Sequence, residues 1–216
     1  MAPITIRGFL LVLTLAVFGQ CAEAQQIIDR VVARVENDVI LSSEIRALSH
    51  YQQFLDGQSE SDEQILDRLI DQWIVRTEAD VALSPHPSEA DIDKAISRLR
   101  RSFSSEEEFE TRRQQAGLTM QEIRAMAAAQ LYLSNYLDSR FRPAVQIEPK
   151  AIEEFYENAF VPRAKARGQE PPSLEAARDA IQEALVQNGI NEQAYKWLKE
   201  SRLRLHIEKL PLGGAR

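Results

Sequence analysis

The order of apolar and polar positions predicts a short β-hairpin followed by a chain that is helical for most of its length. Residues 31–35 and 39–41 are rich in valine, isoleucine and leucine, which favour strands. Residues 36–38 between them, Glu-Asn-Asp, tolerate turn conformations. Ser42 or Ser43 is then placed to cap a helix that we expect over about 44–55.

Helical periodicity with clear start and stop signals continues to about residue 140. In residues 62–83 apolar side chains recur every three or four positions, so we expect a long and central helix there. Ser88, Ser105 and Thr119 are expected to cap the next three helices, and Gly117 is expected to close one of them. The sequence therefore predicts five consecutive helices after the hairpin.

The C-terminal part adds helical sequence and one more strand. Ser173 begins a helix, residues 188–189 (Asn-Gly) are expected to break it, and residues 192–202 continue as a helix. Residues 203–208 alternate between apolar and polar, which predicts a half-buried strand. Because an isolated hairpin is marginal in water, this strand is expected to pair with it. The predicted fold class is mainly α, with a small antiparallel sheet formed by the N-terminal hairpin and the C-terminal strand.

The first 24 residues have the pattern of a secretory signal peptide. Arg7 is the only charged residue before the apolar run 9–18, and residues 22–24 (Ala-Glu-Ala) offer the small residues that a signal peptidase reads. We expect cleavage after Ala24 and a periplasmic mature protein in one domain, 25–216. A transmembrane anchor is the alternative, but about ten apolar residues fall short of the roughly twenty that span a bilayer. Cys21 is expected to leave with the signal peptide.

Composition argues against several kinds of partner. The chain has a net charge of −7, and removal of residues 1–24 takes away one arginine and one glutamate, so this charge does not change. No basic stripe is present to displace counterions, so we expect neither nucleic acid nor anionic lipid as a partner, and no stable membrane insertion. His50, His86 and His206 are scattered and no cysteine accompanies them, so no metal or other cofactor is expected.

The order of these elements resembles the N-terminal domain of the SurA-like periplasmic chaperones. The strand, acidic turn and second strand of residues 31–45 resemble the opening of that family, and residues 62–79 resemble its long second helix. The series continues through SEADIDKAISRL at 88–99 to AIEEFYE at 151–157. The resemblance covers residues 27–158, and residues 173–210 resemble the helix and strand that return to this domain.

The resemblance also implies a missing part. Family members carry parvulin prolyl isomerase domains of about ninety residues at this point, whereas only a linker at 159–172 separates the two matching segments here. No histidine occurs between His86 and His206, although the isomerase core uses histidines. We therefore expect no enzymatic activity. The basic residues Arg163, Lys165 and Arg167 are interpreted as part of a solvated linker, with an arm for an acidic partner as the alternative.

Candidate client-binding residues are five methionine and aromatic side chains, which suit variable peptide partners because they repack easily. At helical spacing the same side chains are also typical of a core, and this alternative stays open. The five candidates are Met120, Met126, Tyr132, Tyr136 and Phe141.

The sequence thus predicts a periplasmic holdase that works without ATP and presents an apolar groove to unfolded or extended polypeptides, above all outer-membrane protein precursors. A non-catalytic module that forms a homodimer or docks one dedicated partner is the alternative. A residual prolyl isomerase is the third hypothesis.

Overall fold

The computed structural model describes residues 29–212, which form a mainly helical protein with one small antiparallel sheet. The predicted fold class is confirmed. The predicted signal peptide lies outside the described residues. The elements in chain order are β1 Val31–Val35, β2 Asp38–Leu41, α1 Ser42–Asp56, α2 Asp62–Val81, α3 Glu89–Arg101, α4 Glu106–Gln115, α5 Met120–Phe141, a 3-10 turn Arg142–Ala144, α6 Pro149–Phe155, a π-helical turn Tyr156–Phe160, α7 Val161–Ala166, α8 Leu174–Arg204 and β3 Ile207–Lys209.

The sheet joins the two ends of the described chain. Its strand order is β2-β1-β3, and β1 pairs antiparallel with both neighbours. The predicted pairing of the C-terminal strand with the hairpin is therefore confirmed. The strand begins only at Ile207, later than predicted, because helix α8 extends to Arg204. Arg202 anchors that end of α8, since its guanidinium group donates to Asp71 Oδ1 at 2.7 Å and to Asp67 Oδ1 at 2.8 Å.

The start of α1 is fixed differently from the prediction. Ser42 and Ser43 do not act as the N-cap; their hydroxyl groups donate to the carboxylate of Asp29, at 2.8 Å in the case of Ser42. The hydrogen bond from Ser43 is the largest cause that lowers the pKa of Asp29. Glu44 accepts the N–H group of Leu41 at 2.7 Å. The later caps follow the sequence: Thr119 accepts from the N–H of Glu122, and Gly117 has a φ of +67° after α4.

Three apolar clusters form what we call the body, residues 29–141 and 190–212. The first lies between the sheet and helices α1 and α2, around Ile65, Ile70 and Val35. The second joins α1, α3, α4 and the start of α5, and the third joins the second halves of α2 and α5 to α8. Trp197 of α8 packs against both the first and the third cluster.

A fourth cluster belongs to a helical hairpin that we call the arm, residues 149–185. Ile152, Ala177 and Ile181 are its buried centre, and the aromatic rings of Phe155, Tyr156 and Phe160 pack around them. This corrects the predicted linker at 159–172, because the helical path continues to Ala166 and only residues 167–173 are irregular. Pro162 lies in the first turn of α7, directly after the π-helical turn Tyr156–Phe160.

Helix α8 is continuous over 31 residues, so the predicted break at residues 188–189 is wrong. Gly189 lies inside α8, and the absence of a side chain there allows another residue to pack closely against the helix. A Cβ atom at this position would lie 2.6 Å from Val145 Cγ1. Beside it, Arg142 donates to Glu183 and to Asp138, with shortest distances of 2.7 Å in both cases. These contacts join the arm to the body.

Candidate functional site

The five predicted client-binding residues all lie on α5, but the structure places them in two separate groups. Met120 and Met126 are partly buried against the second cluster, near the start of the helix. Tyr132 and Tyr136 belong to the third cluster, and Phe141 lies beside Trp197 with a ring centroid distance of 5.8 Å. The five side chains therefore do not line one groove in this conformation.

The two tyrosines are core residues by their burial. Tyr132 is 6% exposed and Tyr136 is 4% exposed. The Tyr132 hydroxyl donates to Asp80 Oδ1 at 2.6 Å, and this hydrogen bond raises the pKa of Tyr132 to about 12. The ring of His86 stacks on the Tyr132 ring at 4.4 Å. Their predicted role in client binding stays a prediction, and it would require the third cluster to open.

An open cleft of about 270 Å³ lies where α2, the end of α5 and the end of α8 meet. We call it the Trp197 cleft. Its apolar lining includes Trp73 from α2 and Trp197 and Leu205 from the α8 end. A hydrogen bond fixes the orientation of the Trp73 side chain, because its indole Nε1 donates to Asp38 Oδ2 at 2.8 Å. The chain contains two tryptophans, and both line this cleft.

Arg140 forms one side of the Trp197 cleft and rests on aromatic rings. Its guanidinium carbon lies 4.9 Å from the centroid of Trp197, 5.7 Å from that of Tyr136 and 5.6 Å from that of Phe141. Its Nη1 donates to the Tyr136 hydroxyl at 2.7 Å. Cation–π contact with three rings holds the planar guanidinium group in place.

Arg204 lines the same cleft from α8. Its Nη2 donates to Ser201 Oγ at 3.2 Å, and Ser201 itself is buried. Glu78 is the carboxylate in the lining, and it lies 3.9 Å from Arg140 Nη1. The cleft thus has two guanidinium groups and one carboxylate beside largely buried aromatic and aliphatic side chains.

Sequence reasoning missed Trp73, Trp197, Arg140 and Arg204 as site residues. Each lies on a helix whose apolar face is explained equally well by core packing, and three separate segments must come together to make the cleft. The available signals were the helical spacing of Tyr136 and Arg140 and the small number of tryptophans in the chain.

Large apolar side chains are also exposed near the ends of these helices. Val81 is the last residue of α2 and Leu83 follows the helix, with exposures of 79% and 88%, and Leu83 has a φ of +52°, which is unusual for leucine. Tyr195 and Leu203, eight positions apart on one side of α8, are 71% and 83% exposed. These four side chains are accessible to a partner, although single exposed apolar residues are common on protein surfaces.

Two other kinds of site can be described for residues 29–212. Over this range no group of three or more His, Cys, Asp or Glu side chains is placed to hold a metal ion. None of the helices in the same range has the length and apolar character needed to cross a membrane.

Comparison with known proteins gives no assignment. No protein-family model matches the chain, and no curated protein matches it.

Proposed function

We propose that this protein is a periplasmic holdase that binds unfolded exported proteins without ATP, outer-membrane protein precursors among them. The observation that carries the proposal is the Trp197 cleft in the body, whose lining includes both tryptophans of the chain. The resemblance of residues 27–158 to SurA-like chaperones supports the same function.

The energetics favour many weak contacts over one strong one. Burial of one large apolar client side chain contributes about 1.5–3 kcal/mol, whereas a dissociation constant of 1 μM requires about 8 kcal/mol. The Trp197 cleft alone therefore cannot hold a client tightly. Exposed residues such as Leu83, Tyr195 and Leu203 provide further apolar contacts along an extended chain. Reversible binding of this kind suits a holdase, because the ordering entropy of the client offsets part of each contact.

Aggregation of an unfolded outer-membrane barrel protein, followed by light scattering after dilution from urea, tests the proposal. The mature protein is expected to suppress aggregation without ATP. The Tyr195→Ser/Leu203→Ser double variant should suppress less at unchanged thermal stability, because both side chains are exposed. The matched control Lys196→Ser/Glu200→Ser changes two exposed polar positions of the same helix and should behave as the unmodified protein. Absence of suppression by the unmodified protein would contradict the holdase function.

The non-enzymatic part of the proposal has its own test. Uncatalysed prolyl isomerisation takes tens of seconds, so even weak catalysis is visible in proline-limited refolding. We expect no acceleration by this protein. Acceleration would favour the residual isomerase.

The exposed side chains Tyr195 and Leu203 on α8 also favour a second candidate, a module that dimerises or docks one dedicated partner. Broad, weak binding to a panel of unrelated unfolded proteins supports the holdase, whereas one tight partner or a stable dimer in sedimentation supports the module.

A further inference from the structure

The turn after helix α2 holds a leucine in a conformation that leucine rarely adopts. The backbone N–H groups of Leu83 and Ser84 donate to the carbonyl oxygens of Asp80 and Ala79, both at 3.0 Å, which is the hydrogen-bonding pattern of a Schellman helix end. The left-handed position of this motif is usually occupied by glycine, and here it is occupied by Leu83, with a φ of +52°. A leucine in this conformation destabilises the folded state.

The Leu83 side chain is also strongly exposed. It is 88% exposed, and the neighbouring Val81 is 79% exposed. The turn itself is held in place, because two prolines restrict its backbone and the ring of His86 stacks on Tyr132 at 4.4 Å. Contacts within residues 29–212 leave both unfavourable features uncompensated, whereas burial against a partner would offset them.

The sequence around this turn is acidic. Between Arg76 and Lys94 the chain contains no lysine or arginine and five carboxylates, which are Glu78, Asp80, Glu89, Asp91 and Asp93. Nearby cations balance two of the five. Glu78 lies 3.9 Å from Arg140 Nη1, and Asp91 lies 3.6 Å from the Lys94 ammonium group.

The other three carboxylates leave two negative charges uncompensated beside the turn. Glu89 and Asp93 share a single guanidinium group, that of Arg124, at 2.8 and 2.5 Å. Asp80 accepts from the neutral Tyr132 hydroxyl at 2.6 Å, and no ion pair involves it in the described part of the chain. An exposed apolar side chain beside surplus negative charge favours a partner that is apolar and positively charged.

We propose that the turn at residues 81–87 binds client segments in which a large apolar side chain is flanked by lysine or arginine. Val81 and Leu83 contact the apolar side chain, and the surplus carboxylate charge beside them attracts the flanking cations. This inference rests on the proposed holdase function and names the class of client segment that this part of the body selects.

Three dye-labelled peptides with the same central Leu-Phe-Leu test this selection by fluorescence anisotropy. The first has two lysines on each side of the centre, the second two glutamates and the third two serines. The lysine peptide is expected to bind about fivefold more tightly than the serine peptide, which is the effect of two exposed ion pairs. The glutamate peptide should bind most weakly, and added salt should reduce these differences.

The variant Leu83→Gly separates contact from stability. Glycine adopts the left-handed conformation without strain, so the urea midpoint of this variant should be equal to or higher than that of the unmodified protein. Its affinity for the lysine peptide should fall about tenfold, because the apolar contact is lost. A loss of affinity at an equal or higher midpoint cannot come from unfolding.

The double variant Glu89→Gln/Asp93→Asn tests the role of charge. It removes two negative charges beside the turn and should abolish most of the preference for lysine over serine. The matched control Glu153→Gln/Glu157→Gln removes two charges from exposed positions of the arm and should keep the preference.

Equal affinity for the three peptides, or an unchanged affinity of Leu83→Gly for the lysine peptide, would overturn the inference. A preference that survives in Glu89→Gln/Asp93→Asn would also overturn it, because the preference would then come from the net charge of the whole protein. The aggregation assay separates this failure from that of the holdase function. Suppression without a preference for lysine leaves the holdase standing, whereas a preference for lysine without suppression supports the site at the turn and counts against the holdase.

Discussion

The body joins segments that are distant in the sequence, whereas the arm closes on itself as one helical hairpin. In the body, β1 pairs with β3 across more than 170 positions, since Ala33 lies opposite Lys209 and Val35 lies opposite Ile207. The cluster of the arm takes its side chains from residues 147–185 alone. Contacts between distant segments make a folding unit cooperative, whereas a local hairpin can open by itself.

The two regions also differ in what they offer to a partner. The Trp197 cleft and the exposed side chains Leu83, Tyr195 and Leu203 all belong to the body. The arm packs its aromatic rings on its own helices, with Tyr156 and Phe160 stacked at 5.8 Å. We therefore place client binding in the body, and the following variants test how independent the two regions are.

The largest effect is expected in the core of the body. Phe54 is fully buried, and its ring contacts the rings of Phe103 and Phe109 at 5.2 and 5.3 Å. Phe54→Ala should lower the free energy of unfolding by about 3–5 kcal/mol, because a large cavity replaces the ring. Urea unfolding followed by tryptophan fluorescence measures this, with Gln53→Ala at an exposed neighbour as the control. A loss below about 1 kcal/mol would show that the second cluster is loosely packed.

A cavity in the arm is expected to act locally. Ile181 is 1% exposed at the centre of the arm cluster, and Ile181→Ala should cost the arm about 2–3 kcal/mol. Hydrogen exchange should quicken at residues 149–185 and stay unchanged in α2. Equal acceleration in both regions would contradict the independence of the arm.

The junction of arm and body is expected to give a smaller effect. Alanine normally stabilises a helix interior by about 1 kcal/mol over glycine, but at Gly189 the added Cβ meets Val145 and overpacking costs about 1–3 kcal/mol. Gly189→Ala should therefore destabilise the protein by about 1 kcal/mol in net terms. The double variant Val145→Ala/Gly189→Ala removes the clash and should recover the loss. If the changes in unfolding free energy of the two single variants simply added up in the double variant, the close contact between Gly189 and Val145 would be refuted.

The smallest effect is expected when the pH is lowered, which weakens the contact between Arg142 and Glu183 at the same junction. Hydrogen bonds from Arg142 hold the pKa of Glu183 at about 2 and also lower the pKa of Asp138. A carboxyl group with a lowered pKa stabilises the folded state above its ordinary pKa and loses this effect as pH falls toward the lowered value. For Glu183 the contribution should be complete above pH 4.5 and fade toward pH 2.

The matched measurement is arm hydrogen exchange in the unmodified protein and in Glu183→Gln, with Glu153→Gln at an exposed position of α6 as control. The difference caused by Glu183→Gln should be present at pH 7 and disappear near pH 2. A difference that grows in acid would contradict the assigned role of Arg142.

Sequence patterns predicted the features that depend on neighbours in the chain. The hairpin, the helix cap at Thr119 and the helix end at Gly117 were all predicted, because each is decided within a few residues. The pairing of the C-terminal strand also followed, from the marginal stability of a lone hairpin.

Features that depend on distant residues were missed. The serines at the start of α1 bond to Asp29, which lies 13 positions from Ser42. A glycine is expected both at the end of a helix and at a close contact inside one, so the sequence alone does not show that Gly189 makes room for Val145. The Trp197 cleft was missed for the same reason, because Trp73, Arg140 and Trp197 come from three helices whose packing no local pattern fixes.

Hydrogen–deuterium exchange in complex with an unfolded outer-membrane barrel protein tests the central claim most directly, because it shows which region meets the client. The account predicts slower exchange at residues 73–78, 136–141 and 197–205, around the Trp197 cleft. The arm, residues 149–185, should exchange as in the free protein. Protection confined to the arm, or no protection anywhere at saturating client, would contradict the assignment of client binding to the body.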